Sequence, residues 1–396
     1  MSSIYTSRDC PVCTGKSKIS LFRQIFATLS SGSLLNGFDL AVCDCCGAAY
    51  ADDIPDQEAF DRYYADMSKY EYAADAGMTT PSDQARFREI ADLVSPHLST
   101  NQRLLDVGCA TGGLLAEFKS RGFQRMVGTD PSPACAGLAA KLHGINAKIL
   151  TISELGRLDE IFDAAFLTGV LEHVRDVDES LRLVGNRLAP SGFLYIEVPD
   201  ASRYDQHFSA PYQLLSMEHI NYFSPTSLTT LLARHGYAPV LVKRVLRQLS
   251  PQAIEPCVGG LFRRTAAPIP VPQPDHETRQ TLARYLEQSA KVEHRIHARI
   301  DALVDAAVPI AVWGTGTHTL RLLETSRLST ANIVAFIDSN INYQGKSLIG
   351  RPILSPTEFT GNPADILISS HVAEVAIQTL IVESLRWTNR IHLLYS

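Results

Sequence analysis

Hydrophobic positions change their period several times along the chain, and those changes divide it. The first 60 residues carry few long apolar periods. After a stretch crowded with Tyr63, Tyr64, Tyr70 and Tyr72, the positions Phe87, Ile90, Ala91 and Val94 predict an amphipathic helix running from Ser82 to just before Pro96. From Arg103, short apolar runs alternate with helical periods. The runs are Leu104-Leu105-Asp106-Val107, Met126-Val127-Gly128, Ala164-Ala165-Phe166-Leu167 and Phe193-Leu194-Tyr195-Ile196-Glu197-Val198. Such alternation predicts βαβ units and a mostly parallel sheet, which strands near 239–244 and 259–264 complete. Pro268, Pro270, Pro272 and Pro274 then mark an extended linker. Leu282, Tyr285, Leu286, Ser289, Val292, Ile296, Ile300 and Leu303 predict a connecting helix of about six turns. Strand-like runs restart at 310–313, 333–337, 366–368 and 391–394. The reading is α/β throughout, in four parts: a small unit at 1–60, a larger α/β unit at 61–266, a linker and helix at 267–308, and a smaller α/β unit at 309–396.

Composition narrows the class. Hydrophobic residues at 45% can build cores, and a formal charge of −6 disfavours a general polyanion binder. The longest apolar runs, such as 306–314, fall short of the ~20 residues a bilayer span needs, so no membrane partner is expected. The first eight residues lack the basic and apolar regions of a signal peptide, which predicts a cytoplasmic location and reduced thiols. The eight cysteines then need a reading other than disulfides, and five of them crowd positions 10, 13, 43, 45 and 46.

Cys10-Pro-Val-Cys13 and Cys43-Asp-Cys-Cys46 form two knuckles able to set four thiolates around a tetrahedral ion, the closed arrangement of structural zinc. Cys45 is an alternative fourth ligand. Gly15 and Gly47, beside the knuckles, suit a backbone turning at positive φ.

Leu104-Leu-Asp106-Val-Gly108-Cys-Ala110-Thr-Gly112 is an apolar strand entering a glycine-rich turn ahead of a helix at 113–119. Asp130 ends the next strand, where an acid can accept ribose hydroxyls; together the two features predict adenosine binding. These residues, with Phe162-Asp163 and Val170-Leu171-Glu-His173, resemble the class I S-adenosylmethionine (SAM) methyltransferases. The resemblance implies a seven-stranded Rossmann-like sheet, SAM as cofactor, and cofactor contacts from Asp106, Gly108, Ala110, Gly112, Asp130, Leu171 and His173.

A narrower resemblance covers almost the whole chain. Zinc knuckles, a tyrosine-rich segment, a SAM domain and a second Rossmann-like domain follow one another as in the C-methyltransferases of nucleotide-linked 4-keto-6-deoxy sugars. Glu218-His219-Ile-Asn-Tyr222-Phe-Ser224 is similar to that family's E-H-x-x-Y-F-S segment, and Gly259-Gly260-Leu-Phe-Arg263 to its G-G-S-x-R strand. Ser216 stands where the family has tyrosine, and the turn at 313–319 lacks its lysine. The resemblance implies His219 as catalytic base and Glu218 as its partner, with Tyr70 and Tyr72 matching a Y-x-Y segment near the site and Tyr222 as a further candidate. The expected partner is a small molecule, a nucleotide-linked sugar. Methylation of oxygen or nitrogen in another intermediate is the alternative. A zinc-ribbon protein acting on RNA is disfavoured, because residues 1–60 hold four basic and seven acidic side chains. Gly314, Gly316 and Asp338 resemble half of a nucleotide site.

Overall fold

A computed structural model describes residues 5–30, 34–66, 79–250 and 253–395. Three sheets organise them. The first contains β1 (Lys18–Ile25), β2 (Gly37–Cys43) and β3 (Ala49–Asp52), all antiparallel.

The second sheet holds β4 (Arg103–Val107), β5 (Arg125–Asp130), β6 (Ala147–Ile149), β7 (Phe162–Thr168) and β8 (Leu188–Pro199). A two-residue strand, β9 (Asn221–Tyr222), leaves this sheet and pairs with β3, making the first sheet four-stranded. A long hairpin of β10 (Tyr237–Ser250) and β11 (Ala253–Arg264) then completes seven strands in the order β10-β11-β8-β7-β4-β5-β6, with β11 antiparallel to both neighbours. The order reverses between β4 and β7, so the loops after these two strands flank the crevice where such sheets bind ligands.

Local chemistry starts the helices where the apolar periods predict them. After α1 (Gln57–Asp66), helix α2 (Pro81–Val94) opens on Thr80, whose hydroxyl accepts from the Asp83 amide, with Pro81 in the first turn. Ser132 caps α4 (Pro133–His143) in the same way, following α3 (Gly113–Ser120). Ser224 caps α6 (Pro225–Arg234), after α5 (Val177–Asn186). Helix α7 (Glu277–Asp305) is longer than predicted, 29 residues or about 43 Å. Asp275 fixes its start: the carboxylate accepts from the amides of Glu277 and Thr278 and from the hydroxyls of Thr278 and Ser224, while the Asp275 amide donates to the Cys46 carbonyl. The proline segment is thereby pinned to the second cysteine knuckle.

The third sheet has six strands, two more than the apolar runs predict. They are β12 (Ile310–Trp313), β13 (Ile333–Ile337), β14 (Ser347–Leu348), β15 (Arg351–Leu354), β16 (Asp365–Ile368) and β17 (Ile391–Leu393), with α8 (Thr317–Thr325) after the glycine turn. One cluster of buried side chains joins the first and third sheets to α7 and to the segment between β8 and β9. It includes Phe38 and Leu40 of the first sheet, Leu215 and Ile220, Leu282 and Ile296 of α7, and Val312 and Phe336 of the third sheet. Residues 1–60 thus have apolar packing, but it is shared with elements far along the chain. A buried Arg321–Glu293 pair reinforces this seam, with Arg321 also donating to Gln24 of β1 and lying over the Tyr212 ring. Among the described residues, no helix is long and apolar enough to cross a membrane.

Candidate active site and metal centre

The two cysteine knuckles are copies of one backbone design. In each, the first cysteine's amide donates to the carbonyl five residues on, and its carbonyl accepts from the amide four residues on: Cys10 with Gly15 and Thr14, Cys43 with Ala48 and Gly47. The residue following the second cysteine has positive φ, Thr14 at 60° and Gly47 at 77°. Gly15 is needed for a different reason than the positive φ expected of it. A side chain there would start 3.1 to 3.3 Å from the sulfurs of Cys45, Cys13 and Cys43.

The sulfurs of Cys10, Cys13, Cys43 and Cys46 all lie within 4.8 Å of one another, Cys10 to Cys46 at 3.6 Å and Cys13 to Cys43 at 3.5 Å. Four sulfurs at tetrahedral metal–sulfur distances stand about 3.8 Å apart, so the set fits an ion. Cys45 is exposed. Without a cation the thiols cannot all ionise: Cys10 is pulled down to about 6, chiefly by its hydrogen bond with Cys46, while burial pushes Cys13 up to about 12.

The adenosine cradle forms where β4 ends. Gly108, Ala110 and Gly112 have φ of 73°, 46° and 83°, a run of alternate left-handed residues that turns the backbone into α3. Its surroundings leave no room for side chains. A Cβ on Gly108 would stand 2.8 Å from Val170 Cγ2, and one on Gly113 2.6 Å from the Phe87 ring. At the end of β5, Asp130 Oδ2 accepts from the Ala110 amide at 2.9 Å and Oδ1 from the Ser132 amide at 3.0 Å. Both oxygens are thereby oriented, and a carboxylate retains further lone pairs for two ribose hydroxyls.

Asp106, 1% exposed, has an Oδ1 with no hydrogen-bond partner among the described residues, a buried acid atom that fits a ligand's ammonium group. Burial, helped by Asp130, pushes its carboxyl up to about 8, against the pull of Arg86. The Leu171 side chain is fully buried in the core and its carbonyl accepts from Asn221, while the side chain of Val170 meets the glycine turn.

Two affinities test this cradle. Asp130→Ala is expected to weaken binding of S-adenosylhomocysteine (SAH) about tenfold or more in calorimetry, since hydrogen bonds to a charged acceptor are worth about 1.5 to 3 kcal/mol. Unchanged affinity in the folded variant excludes the ribose contact. The second test uses pH. A carboxyl titrating at about 8 is mostly protonated at pH 7 in the free protein. Pairing with an ammonium group therefore expels a proton, and SAH binding at pH 7 should release one, read from the dependence of binding heat on buffer ionisation heat. Asp106→Asn should release none. The same shift, from ~3.9 unfolded to about 8 folded, makes this group's contribution to unliganded stability fall as pH rises from about 4 to 8.

Across the crevice, side chains from four distant segments meet. His173, in the loop after β7, packs edge-on to His219 at 4.9 Å between ring centres and to Tyr64 at 5.4 Å. His173 Nδ1 lies 3.0 Å from the Glu218 carbonyl and 2.8 Å from the Tyr64 hydroxyl. A carbonyl can only accept, which selects the tautomer with the proton on Nδ1 and leaves Nε2 basic. The Glu218 carboxylate accepts from Tyr63 Oη at 2.9 Å, so it is turned toward α1. The acid that groups with the two histidines is Glu172: ligand-type atoms of Glu172, His173 and His219 all lie within 4.8 Å. Ser216 Oγ accepts from the amides of Glu218 and His219, fixing the turn that carries them. From the turn between β13 and β14, Tyr343 comes close to Tyr63 and Glu218, and burial, with Glu218 nearby, raises its hydroxyl to about 12.

Tyr222 is placed elsewhere, buried in β9 with its ring 6.4 Å from that of Phe38. Tyr70 and Tyr72 lie outside the described residues. Tyr63, Tyr64, Glu172 and Tyr343 are not among the residues expected catalytically; the structure places Tyr63 and Tyr64 on α1, and nothing local connects Tyr63 to Glu218, 155 positions away.

Comparison with known proteins adds identity to this geometry. A methyltransferase-domain family matches residues 82–242. The C-methyltransferase NovU of Streptomyces niveus is 26% identical over 85% of this chain and 80% of its own length. A tRNA U34 carboxymethyltransferase of Shewanella sp. strain ANA-3 is 37% identical, but over 27% of this chain, which spans about a third (34%) of that relative. Among solved structures, the N-methyltransferase NodS of Bradyrhizobium japonicum WM9 with SAH covers 52% of this chain and 97% of its own, at 19% identity and a TM-score of 0.39. With its glycine turn, acid-ended second strand and matched methyltransferase region, the chain is a SAM-dependent methyltransferase.

Proposed function

We propose that the protein methylates carbon 3 of a nucleotide-linked 4-keto-deoxy sugar, with His219 as the base. The carrying observation is that likeness to a C-methyltransferase extends over 85% of the chain, well beyond the 82–242 region. A carbon beside a ketone is acidic enough for imidazole to deprotonate when the enolate oxygen is stabilised. His219 takes that proton, with the Glu172 carboxylate and the His173 ring beside it. Burial raises the Tyr63 and Tyr64 hydroxyls far above neutrality, so both stay protonated as donors. SAM, held by Asp106, the glycine turn and Asp130, supplies the methyl group.

The four-cysteine set is read as a closed structural zinc site, since four sulfur ligands leave no open position for catalysis. The third sheet is read as holding the nucleotide part of the substrate, although Asp338 there already accepts from Thr315 and the Asn340 amide. The acceptor is thus a small molecule, in a cytoplasmic enzyme. Incubation with labelled SAM and a panel of nucleotide-linked keto and hydroxy sugars tests the reading. A new carbon–methyl resonance from a 4-keto substrate supports it, and methyl on oxygen or nitrogen overturns it.

A further inference from the structure

Among the described residues, one set of side chains besides the four cysteines brings three metal-ligating groups within 4.8 Å of one another: Glu172, His173 and His219. The donors are two imidazoles and one carboxylate instead of four thiolates. Such a set suits divalent zinc, cobalt, nickel or iron, and three protein ligands leave a coordination position open.

Backbone ties hold the set in place. The amide of Ile220, directly after His219, donates to the Glu172 carbonyl at 2.8 Å, and Asn221 Nδ2 donates to the carbonyls of Leu171 and Val174. The loop after β7 is thus bound to the turn that carries His219, with Glu172 only 3% exposed. Two ligands at about 2.1 Å from a tetrahedral ion stand about 3.4 Å apart. His173 Nε2 lies 3.9 Å from Glu172 Oε1, so small side-chain rotations close the set. The far side of His173 has the partner that ligating imidazoles use. With the Nδ1 proton on the Glu218 carbonyl, Nε2 is the nitrogen left to a metal. Each of the three side chains also has a further contact, so an ion enters by displacing protons and hydrogen bonds.

We propose that Glu172, His173 and His219 bind a divalent transition-metal ion and that the ion shuts the enzyme off. A histidine bound through one nitrogen keeps its proton on the other, so a metal-bound His219 has no lone pair for the acceptor's proton. The second half rests on the reading of His219 as the base; the first does not.

Cobalt(II) titrated into the full chain, loaded beforehand with one equivalent of zinc for the cysteine site, tests the halves separately. One further cobalt per chain is expected, with visible ligand-field bands and none of the thiolate charge-transfer absorption that cysteine ligands give. Glu172→Gln and His173→Gln should each weaken it about tenfold or more, and Cys45→Ser should leave it unchanged. Should the first two variants not fold, proton NMR of the wild-type cobalt protein decides, with two paramagnetically shifted, exchangeable imidazole N–H resonances expected. No further cobalt, thiolate absorption, or fewer than two such resonances overturns the site. Saturating cobalt should also slow methylation about 10²-fold or more, reversibly on dilution. Full activity with the site filled overturns the inhibition. An equally active His219→Ala protein then places the error in the choice of base, and an inactive one places it in the effect ascribed to the ion.

Discussion

His219→Ala is expected to stop two reactions together. With a 4-keto sugar nucleotide and SAH in place of SAM, the wild-type enzyme should wash the carbon 3 proton into D₂O, because removing that proton does not consume a methyl group. The variant should lose both this exchange and methylation by about 10² to 10⁴-fold, the range ascribed to general acid–base catalysis. The surrounding geometry refines the expectation. Because the Glu218 carboxylate is engaged with Tyr63 and the acid grouped with the histidines is Glu172, Glu172→Gln should slow exchange more than Glu218→Gln. NMR of the sugar in D₂O measures exchange, and mass spectrometry measures methylation. Rapid methylation by a folded His219→Ala protein would falsify the assignment of the base.

Loss of the cysteine site should have the largest effect on folding. Cys10→Ser with Cys13→Ser removes one whole knuckle, and the expected result is a chain without stoichiometric zinc that melts at much lower temperature or fails to accumulate. Structural zinc contributes about 10 to 16 kcal/mol in small zinc-dependent folds, more than most domains have in total. Cys45→Ser provides the contrast. Its thiol is exposed and outside the four-sulfur set, so the variant should keep one zinc per chain and wild-type stability. Elemental analysis and thermal melts separate the outcomes, and unchanged metal content in the double variant excludes this ligand set.

What the sequence reveals depends on how local each requirement is. Strands such as those over 164–167 and 310–313 are uninterrupted apolar runs because both faces of their sheets are covered, and they can be read directly. Strands of only two to four residues, β6, β9, β14 and β15, mix polar and apolar positions over too short a span to show a period. The same holds for the site. Cysteine knuckles and the glycine turn need given residue types at fixed short spacing, so residues 10 to 13, 43 to 46 and 108 to 112 announce themselves. Tyr343 and Tyr63 join the histidines only through tertiary packing, and single tyrosines carry no local mark of it; Glu172 stands directly before His173, but nothing local shows that it also meets His219. Conversely, Leu171 and Tyr222 sit in recognisable motifs while their side chains serve the core.

The pairing of β3 with β9 has a consequence for how such a chain can be inherited. Two residues before the first knuckle, the buried Arg8 donates to the carbonyls of Ala51, Arg175 and Ile220 and to Asn221 Oδ1. Ile220 follows His219 directly, and its carbonyl also accepts from the Ala51 amide. A crossover that exchanged the N-terminal segment between relatives would set a foreign arginine and a foreign edge strand against the turn that positions His219. Recombination should therefore be tolerated at exposed loops elsewhere and penalised between residue 60 and residue 220, making those two stretches a single unit of selection despite the 160 or so positions between them.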